Sequence, residues 1–198
     1  MDGASGHRLA DEAEYQSMTL SEADCSGQTA AMVTVYRSTW SKVNLARTRL
    51  ARLDLNEVVL EACDLANAAW EKARLSKVRL EGCRLTGLNL GQALVRNTVF
   101  RACEGPLANF RSASFKQVRF VECNLRGADF QQADLRGVVF QGCELGEAQL
   151  SFANLAGADF RSSEIKDLRV GIEHLKGAIV DPAQAAYLAG LMGLKVMY

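Results

Sequence analysis

Cys123-Asn124-Leu125-Arg126-Gly127-Ala128-Asp129-Phe130-Gln131-Gln132-Ala133-Asp134-Leu135 places a large apolar residue at every fifth position: Leu125, Phe130 and Leu135. Two residues before each of them stands a small one: Cys123, Ala128 and Ala133. The register runs outward both ways, back through Phe120, Phe110 and Phe100 to Trp40, and forward through Phe140 and Phe160 to Val180. Only Gly105 breaks that run, and both Trp and seven of the eight Phe lie on it. A period of five fits neither a helix nor a strand. A fixed internal repeat of this kind implies a solenoid, in which each unit buries its apolar residue by stacking on its neighbours.

A second period fixes the cross-section. In steps of twenty the small residues form columns: Cys63, Cys83, Cys103, Cys123 and Cys143; Ala73, Ala93, Ala113, Ala133 and Ala153; and Val58, Val78, Thr98, Val118 and Val138. The fourth column is Ala68, Leu88, Ala108, Ala128 and Ala148. One turn therefore takes four pentads, and the coil has four sides. From Ala13 to Ile172 lie 160 residues, eight turns of twenty. Stacked strands sit about 4.8 Å apart, so the rod is expected to be about 40 Å long. Its interior is filled by side chains and leaves no lumen for a ligand.

The units Ala128-Asp129-Phe130, Ala133-Asp134-Leu135, Ala153-Asn154-Leu155 and Ala158-Asp159-Phe160 resemble the pentapeptide repeat family. The resemblance covers about residues 13–180. It implies an all-β fold, a right-handed quadrilateral β-helix; periodicity alone does not give the hand. The expected organisation is a flexible tail over 1–12, the coil over 13–180, and a C-terminal capping and dimerisation helix with its tail over 181–198.

The chain has 23 Lys and Arg against 23 Asp and Glu, a formal net charge of zero. No apolar stretch is long enough to span a membrane, and the polar start, Met1 to Arg8, lacks the apolar region of a secretory signal. The cytoplasm is the expected compartment. A disulfide framework needs converging Cβ vectors, which residues stacked one turn apart do not have. Zinc needs four convergent ligands, and a ladder spaced by twenty lacks them. The cysteines are read as small buried packing residues, reduced and free. Cys25, in a large-residue position, is read the same way.

Two irregularities stand out. Cys25 and Ala30 underfill the register, so the first turns are expected to pack loosely. At Gly105-Pro106 the inner position is empty and the proline cannot donate a hydrogen bond. The register resumes at Phe110 with no residue gained, so a kink or bulge without an inserted loop is expected, with Leu107 swinging inward. After Val180, Asp181-Pro182-Ala183-Gln184 reads as a helix start, with Asp at the N-cap, Pro first in the helix and Gln three residues after the cap. Gly193 is the expected stop. Pro182 to Met192 contains no charged residue. This helix is expected to cover the open coil end and to meet a second copy, with Tyr187, Leu188 and Leu191 at the dimer interface. The stretch Leu175 to Asp181, with Gln184-Ala185 and Gly193-Leu194, resembles the C-terminal segment of the fluoroquinolone-resistance branch of the family. There that segment implies tail-to-tail joining of two rods.

No catalytic constellation is present, and no cofactor or metal is expected. His7 and His174 have no spaced partners for a triad or metal site, and paired acids such as Asp129 and Asp134 lie on adjacent sides of a filled rod. Function is therefore expected on the surface. The resembling resistance proteins bind DNA gyrase and topoisomerase IV, with the rod standing in for a DNA duplex. From Trp40 to Ile172 there are 19 Lys and Arg against 15 Asp and Glu, which argues against mimicry by the whole rod. The side built on Leu65, Leu85, Leu125 and Leu145 carries Asp64, Glu104, Glu144, Glu147, Glu164 and Asp167 and is the candidate partner-binding side. A second side bears Arg49, Arg52 and Lys72. An alternating ladder, Val59, Arg79, Val99, Arg119 and Val139, is either a binding stripe or simple strand propensity. The leading expectation is a non-enzymatic homodimer that binds a protein, most concretely a type II DNA topoisomerase. The alternatives are a scaffold for another partner and direct nucleic-acid binding through a basic side. The last lacks exposed aromatics among its cations.

Overall fold

The computed structural model describes residues 8–197, a four-sided coil with a helix at its C-terminal end. In each pentad the large residue and the small residue two before it point inward. The residue between them faces out, and the next two turn the corner. Fifteen strands of three residues form the sides, from Glu14–Gln16 to Val139–Gln141. On the Phe120 side seven strands stack in parallel, each twenty residues from the next, so Leu20 lies opposite Trp40 and Phe100 opposite Phe120. That is six turns of continuous strand pairing. Bridges from Val139 to Asp159 and from Asp159 to Ile179 carry this side two turns further. The Leu75 side has six strands, from Glu14–Gln16 to Ser114–Lys116, and continues through bridges at Asp134 and Asn154. The cysteine side and the Leu90 side are joined largely by single bridges such as Asp64–Arg84 and Asn89–Asn109.

Every fifth residue from Glu12 to Asp167 has a positive φ, and most of these corner residues are not glycine. Each is the third residue of a turn that starts on the inward apolar residue. On two sides, and on the other two toward the C-terminal end, the turn is closed by a backbone bond, as from Ala68 N to Leu65 O at 3.1 Å. A positive φ at the third position is the mark of a type II turn. The repeat is thus a side of three residues and a corner of two.

The core runs the length of the coil. Phe100, Phe120, Phe140 and Phe160 stack face to face, with ring centroids 4.6, 5.2 and 5.0 Å apart. These distances follow the strand spacing. Phe110 and Phe130 stack at 4.8 Å on the opposite side and meet the first file edge to face across the interior, as Phe110 meets Phe120 at 5.9 Å. Such offset and edge contacts suit the ring quadrupole and add to the gain from burial.

The expected defect at Gly105-Pro106 is absent. Gly105 N donates to Asn124 O at 2.8 Å, Leu107 N to Arg126 O at 3.0 Å and Ala108 N to Gly105 O at 3.2 Å, the bonds made in neighbouring turns. Leu107 has the usual corner φ of 59° and is 69% exposed, so it does not swing inward. Two causes keep the coil regular. Pro106 is the second residue of its turn. On this side the N–H of that position bonds, where it bonds at all, to the side chain two residues back, as Ala66 N does to Asp64 Oδ1. A proline there forfeits no coil bond, and its fixed φ suits the turn. The missing side chain is compensated from above and below: an added Cβ on Gly105 would lie 3.4 Å from both Leu85 Cβ and Leu125 Cδ2.

The N-terminal turns are also closed rather than loose. Cys25 and Ala30 are buried, and Leu9 enters the core with its N–H bonded to Gln28 Oε1 at 2.7 Å. Glu12 already donates to Ala31 O. The coil therefore starts inside the segment expected to be a tail; residues 1–7 of that segment lie outside the described residues.

Candidate partner-binding surfaces

The outward residue at the middle of each cysteine-side pentad is bridged to its counterpart one turn away. Asp64, Arg84, Glu104, Asn124, Glu144 and Glu164 consequently stand in single file along the rod. Glu147 and Asp167 sit on the adjoining corner, one turn apart, with φ of 60° and 62°. The six acids singled out in the sequence thus occupy one face and its edge. Their charges are unevenly compensated. Asp64 faces Arg84 Nη1 at 3.2 Å, and Glu147 lies 3.8 Å from Arg169. Glu104 accepts only from neutral Asn124, at 3.0 Å, and Glu164 from the Lys166 backbone N–H at 2.7 Å. Glu144 makes no ion pair among the described residues. The negative potential is therefore concentrated on the C-terminal half of the file.

Beneath this face runs the cysteine column. All six cysteines are buried, and none is in a disulfide. Cys63 donates to Trp40 O at 3.3 Å, and the pattern repeats at Cys83, Cys103, Cys123 and Cys143, each reaching a carbonyl 23 residues back. Ser163 continues the column with a bond to Phe140 O at 3.0 Å. Neighbour-thiol hydrogen bonds and burial push the Cys63, Cys103 and Cys143 thiols up. Burial, with the nearby Asp24 charge, pushes Cys25 up to about 11. The column is structural: its thiols are enclosed and hydrogen-bonded to backbone carbonyls.

The last carbonyl of this ladder is met from the C-terminal helix, Pro182–Leu191. Gln184 Nε2 donates to Phe160 O and to Ser163 O, both at 2.7 Å. The same side chain completes the capping box with Asp181: Gln184 Oε1 accepts from Asp181 N, and Asp181 Oδ1 from Gln184 N. The capping role is the one expected from sequence, and the coil-end contact is additional to it. Tyr187 and Leu188 pack against the core, and Tyr187 Oη accepts from Asp167 N at 2.8 Å. Leu191 is 54% exposed. Gly193, with φ of 81°, follows the helix end. Beyond the helix Met192, Leu194, Val196 and Met197 are exposed too.

On the Phe120 side Arg79 stacks directly between Val59 and Val99, and Arg119 between Val99 and Val139. The valines are half-buried and the arginines exposed. Arg79 lies 3.6 Å from Glu81, and Arg119 Nη2 donates to Gln141 at 3.0 Å.

Among the described residues no group of three or more His, Cys, Asp or Glu is placed to hold a metal ion. No helix is long and apolar enough to cross a membrane. A family model for a pentapeptide repeat region matches residues 74–150 and 107–170, and one for pentapeptide repeats in eight copies matches residues 44–82 and 54–92. The chain is a pentapeptide repeat protein. Among solved structures, a trypsin-treated QnrB1 variant, a plasmid-mediated fluoroquinolone resistance protein, is 19% identical. The alignment covers 94% of this chain and 100% of that one, with a TM-score of 0.47. Full-length QnrB1 gives 17% identity, 92% and 100% coverage and a TM-score of 0.42. HetL, a pentapeptide repeat protein involved in heterocyst differentiation regulation in the cyanobacterium Nostoc sp., gives 19%, with 81% and 90% coverage and a TM-score of 0.28. No curated protein matches the chain.

Proposed function

We propose that this pentapeptide repeat protein is a non-enzymatic binding rod that acts through its surface on a protein partner, most concretely a type II DNA topoisomerase. The observation that carries the reading is the file of Glu104, Glu144 and Glu164, set at a fixed repeat on a rigid face and left without cationic partners. A straight row of fixed negative charge suits a protein groove built for a phosphate backbone, and such complementarity steers association. The resemblance of the C-terminal segment to the gyrase-binding branch supports the same choice. The rod has a filled core, so binding by its outer face is the activity its architecture permits.

The protein acts in this reading as a homodimer. Eight of its exposed large hydrophobic residues, from Phe152 to Met197, gather in the C-terminal quarter, with Leu191, Met192 and Leu194 at the helix end. Exposed apolar residues gathered in this way mark an interface, and a two-fold contact would cover them on both copies at once. The test is a gyrase supercoiling assay titrated with the protein, with and without a fluoroquinolone. Loss of supercoiling, or protection from the drug, is expected, and Glu104→Lys/Glu144→Lys/Glu164→Lys should abolish it. No effect at a large molar excess would reject the topoisomerase reading.

A further inference from the structure

One edge of the rod carries the opposite charge. Between the Leu75 and Phe120 sides, Lys77, Arg79, Arg96, Lys116, Arg119 and Arg136 project from four successive turns, and all six are exposed. Arg96 and Lys116 are direct register partners on adjacent strands. Like charges placed directly opposite destabilise a sheet. Nothing on the edge relieves them: Arg96 and Lys116 make no ion pair among the described residues, and Arg119 bonds only to the neutral Gln141. The corner between the two files is Lys77, Asn97, Gln117 and Gly137. On these four turns the corner and its two flanking positions hold no carboxylate. The nearer acids, Glu57, Glu81 and Asp134, are spent on Lys77, Arg79 and Arg136.

We infer that this edge binds the phosphate backbone of a nucleic acid, without reading its bases. Three turns at about 4.8 Å give the edge a reach of about 15 Å, the span of a few consecutive phosphates. Exposed Arg, Lys, Asn and Gln side chains are the groups that hold phosphate oxygens. The edge offers no aromatic platform for base stacking, so contact with the backbone is what remains. An acidic peptide is the less suitable occupant. Tight peptide recognition draws on apolar anchors in pockets, and the apolar residues on this edge are half-buried, Val99 between Arg79 and Arg119 and Val139 between Arg119 and Asp159. Charge alone is enough for backbone binding, because neutralised phosphates release counterions. The edge is distinct from the acidic file, and this inference stands apart from the topoisomerase reading.

The test is fluorescence anisotropy of a labelled 30-base-pair duplex of arbitrary sequence, titrated with full-length protein from 50 to 200 mM NaCl. Three unpaired cations predict a log–log salt slope of about −2.7, a loss of about 40-fold in affinity over that range. Arg96→Ala/Lys116→Ala/Arg119→Ala should remove the binding and its salt dependence while leaving the circular dichroism spectrum and Tm in place. Arg49→Ala/Arg52→Ala/Lys72→Ala, on the Leu90 side, should bind as the parent does. Absence of duplex binding at 50 mM NaCl overturns the inference, as does equal weakening by the two triple variants. An oligo-glutamate peptide that binds while the duplex does not would assign the edge to an acidic protein segment instead.

Discussion

Trp70 Nε1 donates a hydrogen bond to Thr48 Oγ1 at 3.0 Å inside the coil, across one full turn, and Thr48 in turn donates to Leu45 O at 2.8 Å. Both residues are buried. The threonine occupies an inward position that on the following turns holds Ala or Leu, and it satisfies the one polar atom of a large aromatic. Trp40, on the opposite side, is 2% exposed and its Nε1 has no partner among the described residues. Thr48→Val keeps the shape and removes the acceptor, so it should cost about 1–3 kcal/mol, the penalty for an orphaned buried donor. Trp40→Phe removes a donor already orphaned and should cost less than Trp70→Phe. Urea unfolding of the three variants gives the comparison, and equal losses at the two tryptophans would refute it.

Much of this fold could be read from the register. Leu125, Phe130 and Leu135 announce the coil because burial alternates along each side and each corner consumes two residues. The Asp181 and Gln184 pair was legible because a capping box is local. The failures were of another kind. Filling the space at Gly105 depends on Leu85 and Leu125, each twenty residues away, and on a turn position where a proline costs nothing. The role of Thr48 in its column depends on Trp70, one turn on. The second role of Gln184, at the coil end, depends on where the helix lands. The acidic side was identifiable by counting, but which acids remain uncompensated depends on side-chain geometry.

Gly105→Ala should stabilise the protein by about 0.4–1 kcal/mol. The residue has no positive φ, and an added Cβ would make ordinary contacts at 3.4 Å with Leu85 and Leu125. The gain comes from the reduced entropy of the unfolded chain. A lower denaturation midpoint for the variant would mean that the site is more tightly closed than these contacts indicate.

Stability should fall as the pH rises from about 8.5, the ordinary thiol value. The Cys25 thiol is pushed up to about 11. Between those values the unfolded chain gives up a proton that the folded one keeps, so the unfolded state binds fewer protons and stability declines. Below about 8.5 both states are neutral at this site and it contributes no slope. Asp134 and Asp159, held down by hydrogen bonds from Arg136 and Arg161, act at the other end. Their contribution is complete above the ordinary Asp value, about 3.9, and is lost as the pH falls below it. Melting curves from pH 3 to 11 should show both limbs, and Cys25→Ala should make the alkaline one shallower without removing it, because Cys63, Cys103 and Cys143 are pushed up as well. An alkaline limb unchanged in that variant would remove Cys25 from the account.

Gln184→Leu should detach the cap without unfolding the rod. The amide satisfies two coil carbonyls and half of the capping box, so its loss leaves Ser163 O and Asp181 N without these partners and Phe160 O with only the Ser163 N–H. In a solenoid each turn depends on its neighbours, and a defect at the end stays there. Hydrogen exchange should show lost protection over residues 160–192 and unchanged protection over 60–120. Uniform loss along the coil would show that the helix holds the whole rod together.

Leu191 and Tyr187 should separate capping from dimerisation. Tyr187 accepts from Asp167 N and packs on the core, whereas Leu191 is more than half exposed near the end of the same helix. In the proposed dimer, Leu191→Glu places a charge in the apolar contact between copies and should shift the molecule to monomer with the coil intact. Tyr187→Phe loses one hydrogen bond within the protomer, about 0.5–1.5 kcal/mol, and should lower the Tm without changing the association state. Sedimentation velocity of the parent and both variants reads the two effects apart. A monomeric parent would reject the dimer. A dimer in all three would move its contact elsewhere on the rod.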